Sequence, residues 1–321
     1  MYKTFHLCRS SHSEVMFRSE SDMIIGFNYL AYSALETDAK LVAEAFISTH
    51  NHQIARCYNP EELNKRFRYA YTRYFNAKYH RKGSLGEKKC FKLELNGLYH
   101  TQTATSYVLR QALHHGLTST PFEYPHCSIN TFFRKELGKS DRPALLPDDR
   151  RHQFLPRNIK MPADYRMAEN GLLLREDVLD TSYVESLYVS PRNFLYQMNR
   201  VSNDKIINEQ LSEPFSAPIT LDVIEKGVPD FDPAKVFIDE AGRVNHNKVT
   251  DIELCHIIDD VILPGQYFKG GQEFSIYLLP ETKRKEIGNR IWQESRTQKS
   301  GNSLLSGRII TEAQLKRCLV I

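Results

Sequence analysis

Two short stretches of this 321-residue chain carry side chains suited to chemistry on a phosphodiester: His50-Asn51-His52, and Tyr107 with Gln111 four positions later. Two imidazoles and an amide oxygen can hold one divalent cation, and a phenol can be aimed as a nucleophile. The run Leu41–Ile47 is short, apolar-rich and bounded by polar residues, the pattern of a mostly buried strand. If that strand continues through the triplet, His50 and His52 project from one face, because side chains alternate along a strand. Neutral imidazole suits several divalent transition metals, so the pair would form half of a metal site. An HNH-nuclease reading of the same letters is poorer, since the triplet stands without further recognisable ligands.

The second stretch, Thr105–His115, has no internal Gly or Pro and is followed by Gly116, a helix with a C-terminal stop. Tyr107 and Gln111 are four apart and so share a face, one turn from each other. Between the two motifs, Lys65–Lys82 reads as one basic, aromatic helix. Phe67, Tyr71, Tyr74, Phe75 and Lys78 follow helical spacing, while Lys65, Arg66, Arg68, Arg73, Arg81 and Lys82 sample the other faces. Such cations, Lys78 among them, can track a nucleic-acid backbone while tyrosines stack on unpaired bases; equally, the aromatics can be core and the cations a solvated face.

Several of these segments, in order, resemble the single-tyrosine HUH transposases, and most closely the REP-associated tyrosine transposase branch. Tyr107 followed by Gln111, Gly116-Leu117, Pro121 and Tyr124 resembles the tyrosine helix of that family and its continuation. Tyr124-Pro-His-Cys-Ser128 looks like its Tyr-Pro-x-Ser-Ser, and Ser48-Thr-His-Asn-His52 stands where its HUH motif stands. Tyr74–Gly83 resembles its Tyr-x-x-x-Phe-Asn-x-x-Tyr-x-Arg-x-Gly segment. The resemblance covers about residues 2–138. The middle residue of HUH is usually hydrophobic; a polar Asn51 suits a strand at an edge or locally exposed.

The resemblance implies an α+β domain with a ferredoxin-like antiparallel sheet and helices on one face. The sequence alternates accordingly: strand near Lys3–Arg9, helix Asp22–Thr37, strand Leu41–Ile47, helix Pro60–Tyr79, strand Cys90–Glu94 and helix Ala104–His115. The expected division is 1–140 as the HUH domain, 141–205 as a linker and candidate helix-turn-helix, and 206–321 as a mainly helical accessory region of unreadable role. Asp180–Leu187 and Ser190–Val201 are the two short helices, the second with Ser190 as N-cap and Pro191 in its first turn. Arg192, Asn193, Gln197 and Arg200 would be exposed for DNA beside core Phe194, Leu195 and Met198. Pro214–Pro233 reads as irregular, Gly301–Gly307 as a flexible connection, Lys283–Arg296 as a helix, and Thr311-x-x-Gln314 as a capping box.

The net charge of +4 conceals an asymmetry. Residues 1–140 hold 19 Lys and Arg against 12 Asp and Glu, whereas the remainder holds 24 against 27. A basic half carrying the candidate motifs is the distribution expected of a phosphate-binding domain. No apolar run approaches a membrane span, and the first residues lack a signal-peptide core, so a cytoplasmic protein is expected. The six cysteines are scattered with no CxxC, which fits reduced thiols and argues against a structural zinc site.

By the resemblance, His50, His52 and Gln111 would hold Mg²⁺ or Mn²⁺, and Tyr107 would attack single-stranded DNA beside a hairpin, leaving a 5′-phosphotyrosine and a free 3′-hydroxyl. Magnesium prefers oxygen ligands, so two imidazoles should favour Mn²⁺. The expected enzyme is an HUH-type transposase that nicks and transfers strands. The alternatives are a domesticated, non-cleaving DNA-binding protein and an RNA-binding regulator. A homodimer, with the tyrosine acting in its own subunit or a partner's, stays open.

Overall fold

The computed structural model describes residues 1–139, 142–156, 159, 161–199, 223, 247–266, 274–297 and 304–321. Four strands, β1 (Lys3–Ser10), β2 (Lys40–Ile47), β3 (His50–Cys57) and β4 (Phe91–Leu95), form one antiparallel sheet in the order β2-β3-β1-β4. Helix α1 (Glu20–Glu36) follows β1, and α2 (Pro60–Lys78) follows β3, so the molecule is α+β. Both helices start where their caps dictate. Ser19 accepts from the Asp22 amide in a full capping box, and Asn59 accepts from the Glu62 amide ahead of Pro60.

The histidine triplet opens β3 rather than closing β2. The chain reverses at Ser48-Thr49, and Ile47 pairs with His50 across the hairpin. Because Ser48-Thr49 offers none of the Asn-Gly or Gly-Gly chemistry that flags a tight hairpin, the two strands read as one. The face-sharing of His50 and His52 survives, since both lie in β3 at alternate positions, opposite Ser10 and Cys8 of β1. β3 is an interior strand, and Asn51 is buried, so the edge or exposed strand expected there is not what forms. Asn51 faces away from the histidines; its Nδ2 donates to Gln53 Oε1 at 3.3 Å, and its Oδ1 has no hydrogen-bond partner.

Helices cover both faces of the sheet, not one. Phe46 of β2 packs edge-to-face on Phe17 and on Phe67 of α2, at 5.2 and 6.4 Å between ring centroids. Gly26 lets α1 close on the same ring, because a Cβ there would stand 2.9 Å from both Phe17 and Phe46. On the opposite face, where Ala45 and His52 project, lies α3 (Leu98–Leu109), followed by the single-turn α4 (Gln111–His114). Strands covered on both sides lose polar-out alternation, which is why β2 and β3 read as nearly continuous buried runs.

Beyond the sheet, α6 (Thr181–Tyr188) and α7 (Pro191–Asn199) pack against α3, while the single-turn α5 (Arg175–Val178) lies against the Ser128–Thr131 turn. The Ser106 hydroxyl lies 2.8 Å from the Tyr188 hydroxyl, and the main core that includes Phe5 also takes in Val184, Phe194 and Met198. Part of the segment expected to be a linker therefore belongs to that core through Met167 and Leu173. The helix pair expected there forms, with the Ser190 hydroxyl accepting from the Asn193 amide at 3.2 Å.

The C-terminal segments are helical where described and build a second core from Leu254, Ile258, Ile287, Ile291 and Leu315, with Val15 packed among them. The helix expected over Lys283–Arg296 forms, beginning one half-turn earlier at Glu281, and the Thr311–Gln314 capping box forms as expected. Pro214–Pro233, apart from position 223, and 301–303 of the expected flexible connection lie outside the described residues. Buried Arg18 ties this region to the sheet domain: its guanidinium makes two 2.9 Å bonds to Asp259 and one of 2.8 Å to the Cys318 carbonyl.

Candidate metal and nucleophile site

β3 presents His50 and His52 to α3 and α4, and the first strand adds a third imidazole from the same face, His6. His6 Nε2 lies 2.9 Å from His52 Nδ1, with the ring centroids 5.1 Å apart and the planes within 19° of each other. Cys8, directly opposite His52, places its Sγ 3.9 Å from His52 Nε2. His50 and His52 stand edge to face with centroids 5.0 Å apart. The Thr49 hydroxyl is 3.0 Å from His50 Nδ1, and His50 Nε2 is buried without a hydrogen-bond partner.

The helical residues close over this floor. Tyr107 sets its ring 5.4 Å from that of His52 and 6.0 Å from that of His6, both edge-on. The helix breaks at Arg110, where φ and ψ leave the α region for −101° and 10°, and restarts at Gln111. The break does not part the pair: Gln111 Nε2 donates to the Tyr107 carbonyl at 3.3 Å. Gln111 Oε1 lies 3.1 Å from His115 Nε2, and the Gln111 side chain also approaches His50. His115 in turn packs against His50 at 4.9 Å, and exposed His114 approaches the Tyr107 ring at 5.8 Å.

Thus the four residues singled out from sequence, His50, His52, Tyr107 and Gln111, converge from a strand and a helix far apart along the chain. His6 and His115 join them unannounced. His6 is one of several polar letters in β1, and only pairing between β1 and β3 reveals its partner. All four imidazoles are buried, and burial, which penalises the charged ring, holds them neutral. The His50 ring is pushed down to about 4 and His6 to about 3, with His52 and His115 also well below the ordinary histidine range. A neutral ring keeps a lone pair to offer a cation. Among the described residues no group of three or more His, Cys, Asp or Glu side chains is placed to hold a metal ion.

The cations expected to hold DNA do not converge on this site. The helix α2 lies across the sheet from the histidines, and several of its charges are engaged within the chain. Arg66 pairs with Glu62 and Glu36, Lys65 with Glu62, and Lys78 with buried Asp22 at 2.7 Å. Arg81 is held by Glu14 and by the carbonyls of Gly83 and Ser84. Arg68 reaches the Lys88 carbonyl, Arg73 stacks over Tyr69, and Lys82 is exposed. Of the helix pair, Arg192 is exposed, Asn193 commits its amide to the Tyr188 carbonyl, Gln197 is buried instead of exposed, and Arg200 lies outside the described residues. Gln197 turns inward because α7 packs that side against the main core. A basic cleft of about 700 Å³ that the sequence did not single out is lined by Arg134, Lys135, Lys139, Arg142 and Arg166, with Glu176 at its side.

The remaining family-like segments are structural. Tyr124 donates its hydroxyl to the Phe46 carbonyl at 2.7 Å, and Ser128 bonds both the amide and carbonyl of Glu44, sealing the outer edge of β2. Asn76 donates to the Gly83 carbonyl, closing the loop after α2, where Gly83 takes a φ of 91°.

No protein-family model matches the chain, and no curated protein matches it in sequence. Among solved structures it is similar to that of a REP-associated tyrosine transposase bound to a REP hairpin, with a TM-score of 0.36 and 9% identity over 44% of this chain and 82% of that one. A likeness of that degree carries no inference about what this chain binds or catalyses. No described helix is long and apolar enough to cross a membrane.

Proposed function

We propose that this chain is a divalent-metal-dependent endonuclease and strand transferase acting on single-stranded DNA beside a hairpin, with Tyr107 as nucleophile. The observation that carries the reading is the placement of one phenol and one amide, from one helical face, against two neutral imidazoles sharing one face of a strand. The order β1-α1-β2-β3-α2-β4, with strand order β2-β3-β1-β4, supports taking the sheet as ferredoxin-like.

His50, His52 and Gln111 are the residues that would hold Mg²⁺ or Mn²⁺, and the buried, unpartnered Nε2 of His50 fits a donor waiting for a cation. A divalent cation bound there would polarise the scissile phosphate and draw charge from its oxygens. Tyr107 Oη forms a bond to phosphorus as the bond from phosphorus to the 3′ oxygen breaks; the phenol gives up its proton and the departing oxygen gains one. No water is consumed, so the phosphotyrosine retains the bond energy for rejoining, as strand transfer requires. Tyr107 keeps only 7% exposure. A strand therefore has to part the side chains at its mouth, and exposed His114, beside the phenol ring, is the one placed to move. In this reading α2, Arg192 and the basic cleft contact phosphates of the flanking hairpin and contribute binding, not chemistry.

Incubation with end-labelled single-stranded DNA and Mn²⁺ should give a denaturation-resistant protein–DNA adduct, and Tyr107→Phe should abolish it while binding stays within a few-fold. Adduct formation on the matching RNA and not on DNA would favour an RNA-directed protein. Undiminished adduct in the variant would move the nucleophile elsewhere, though not to Tyr124, whose hydroxyl is committed to the backbone.

A further inference from the structure

Each residue assigned as a metal donor has a second side chain within hydrogen-bond distance. Thr49 Oγ1 stands 3.0 Å from His50 Nδ1, His6 Nε2 stands 2.9 Å from His52 Nδ1, and His115 Nε2 stands 3.1 Å from Gln111 Oε1. The two histidine donors are therefore both engaged through the same ring nitrogen, Nδ1; His50 Nε2 has no hydrogen-bond partner, and His52 Nε2 has the Cys8 thiol 3.9 Å away. A ring can ligate through Nε2 only when the proton sits on Nδ1, and that proton then needs an acceptor.

We propose that His6 is a positioning residue that accepts the Nδ1 proton of His52 and so fixes Nε2 as the nitrogen presented to the cation, a role that rests on the metal reading above. Three observations carry it. His6 is fully buried and its ring plane lies within 19° of that of His52, edge to edge, which fixes ring orientation as well as hydrogen bonding. Accepting at Nε2 obliges His6 to carry its own proton on Nδ1, and that atom is buried without a hydrogen-bond partner. Leaving a buried donor unsatisfied is costly, and an aliphatic residue at this position would avoid the cost altogether. The expense is explained if the chain needs an acceptor behind His52. Finally, the arrangement recurs: Thr49 backs His50 through Nδ1 in the same manner, and His115, donating from Nε2, orients the Gln111 oxygen.

Co²⁺ binding, followed by titration calorimetry and by visible absorption of the bound ion, tests this without reference to cleavage. His6→Phe keeps an aromatic ring and removes the acceptor, and should weaken Co²⁺ binding by roughly 10–100-fold, the usual order for such outer partners. His6→Gln restores an acceptor oxygen and should recover most of the loss. If the wild type binds no Co²⁺, or His50→Ala leaves its binding unchanged, the metal reading fails and the proposal with it. If the wild type binds through His50 and His6→Phe binds equally well, the positioning role alone is overturned. Two-dimensional proton–nitrogen NMR of the metal-free wild-type imidazoles decides the case even if His6→Phe does not fold. His52 protonated on Nδ1 is the expected result, and protonation on Nε2 would overturn it.

Discussion

The Ser48 hydroxyl donates a 2.7 Å hydrogen bond to Asp251 Oδ2 across 203 positions of sequence, fastening the turn that launches His50 to the C-terminal helices. Asp251 is itself clamped by two 2.8 Å bonds from Arg317 and one of 3.2 Å from Gln314, and the amides of Met16 and Phe17 share the Ser48 carbonyl. The region whose role the sequence did not disclose thus braces the hairpin carrying the candidate ligands.

Breaking that brace should be expensive. Asp251→Ala leaves the Arg317 guanidinium, whose side chain is only 9% exposed, without its carboxylate. A loss of about 3–5 kcal/mol in urea unfolding is expected. Combining Asp251→Leu with Arg317→Met removes both charges and should recover most of it. A double variant no better than Asp251→Ala would show that the loss comes from the Ser48 and Gln314 hydrogen bonds instead.

Gln111→Leu should abolish Mn²⁺-dependent adduct formation, because leucine has similar bulk and no oxygen to offer. The variant is also expected to lose about 1–3 kcal/mol of stability, since Gln111 is fully buried and His115 Nε2 loses the amide oxygen. Gln111→Asn, with a shorter amide, should retain part of both. Unaltered adduct yield in Gln111→Leu across a Mn²⁺ titration would remove the amide from the site.

For the far face, Arg66→Gln combined with Arg73→Gln should leave the rate of adduct formation at saturating DNA unchanged. The same variant should flatten the salt dependence of hairpin binding, by roughly 0.9 for each duplex phosphate that is no longer neutralised. An unchanged slope would make α2 scaffold only. Arg81→Gln should behave differently and destabilise the fold, because Arg81 ties the end of α2 to buried Glu14.

Stability should fall as the solution is acidified from pH 7. His6 and His50 stay neutral in the folded state down to about 3 and 4, whereas in the unfolded chain they take up protons near ~6.5. Burial shifts His52 and His115 in the same direction. The unfolded state therefore binds more protons between about pH 6.5 and 4, and the stability these neutral rings contribute, fully present above that window, is lost as pH falls through it. Each ring adds up to about 1.4 kcal/mol per pH unit. Urea unfolding at pH 7, 6 and 5 should give a slope of more than one proton per molecule, reduced in His6→Phe. A flat profile would mean that the rings are not buried neutral.

Local letters made several elements legible. Ser190 and Thr311 are caps whose geometry forms as their spacing predicts, and β1, α1, α2, β4 and the helix Glu281–Arg296 begin within a few residues of expectation. The same kind of reasoning failed at Ser48-Thr49, where a tight reversal lacks its usual glycine or asparagine, and at Arg110, where the helix breaks without a helix-breaking residue. In both places the surrounding packing, not local preference, sets the backbone.

By itself the sequence determined that His50 and His52 share a face and that Tyr107 and Gln111 share another, because both relations follow from the period of a strand and of a helix. Which faces meet was decided by tertiary structure alone. Strand pairing brings His6 behind His52, two-sided coverage of the sheet puts α3 over the histidines and the basic α2 on the opposite side, and Asp251 arrives at the Ser48 turn from the far end of the chain. Such pairings join residues tens to hundreds of positions apart, and their free energy comes from burying surfaces that no local pattern records.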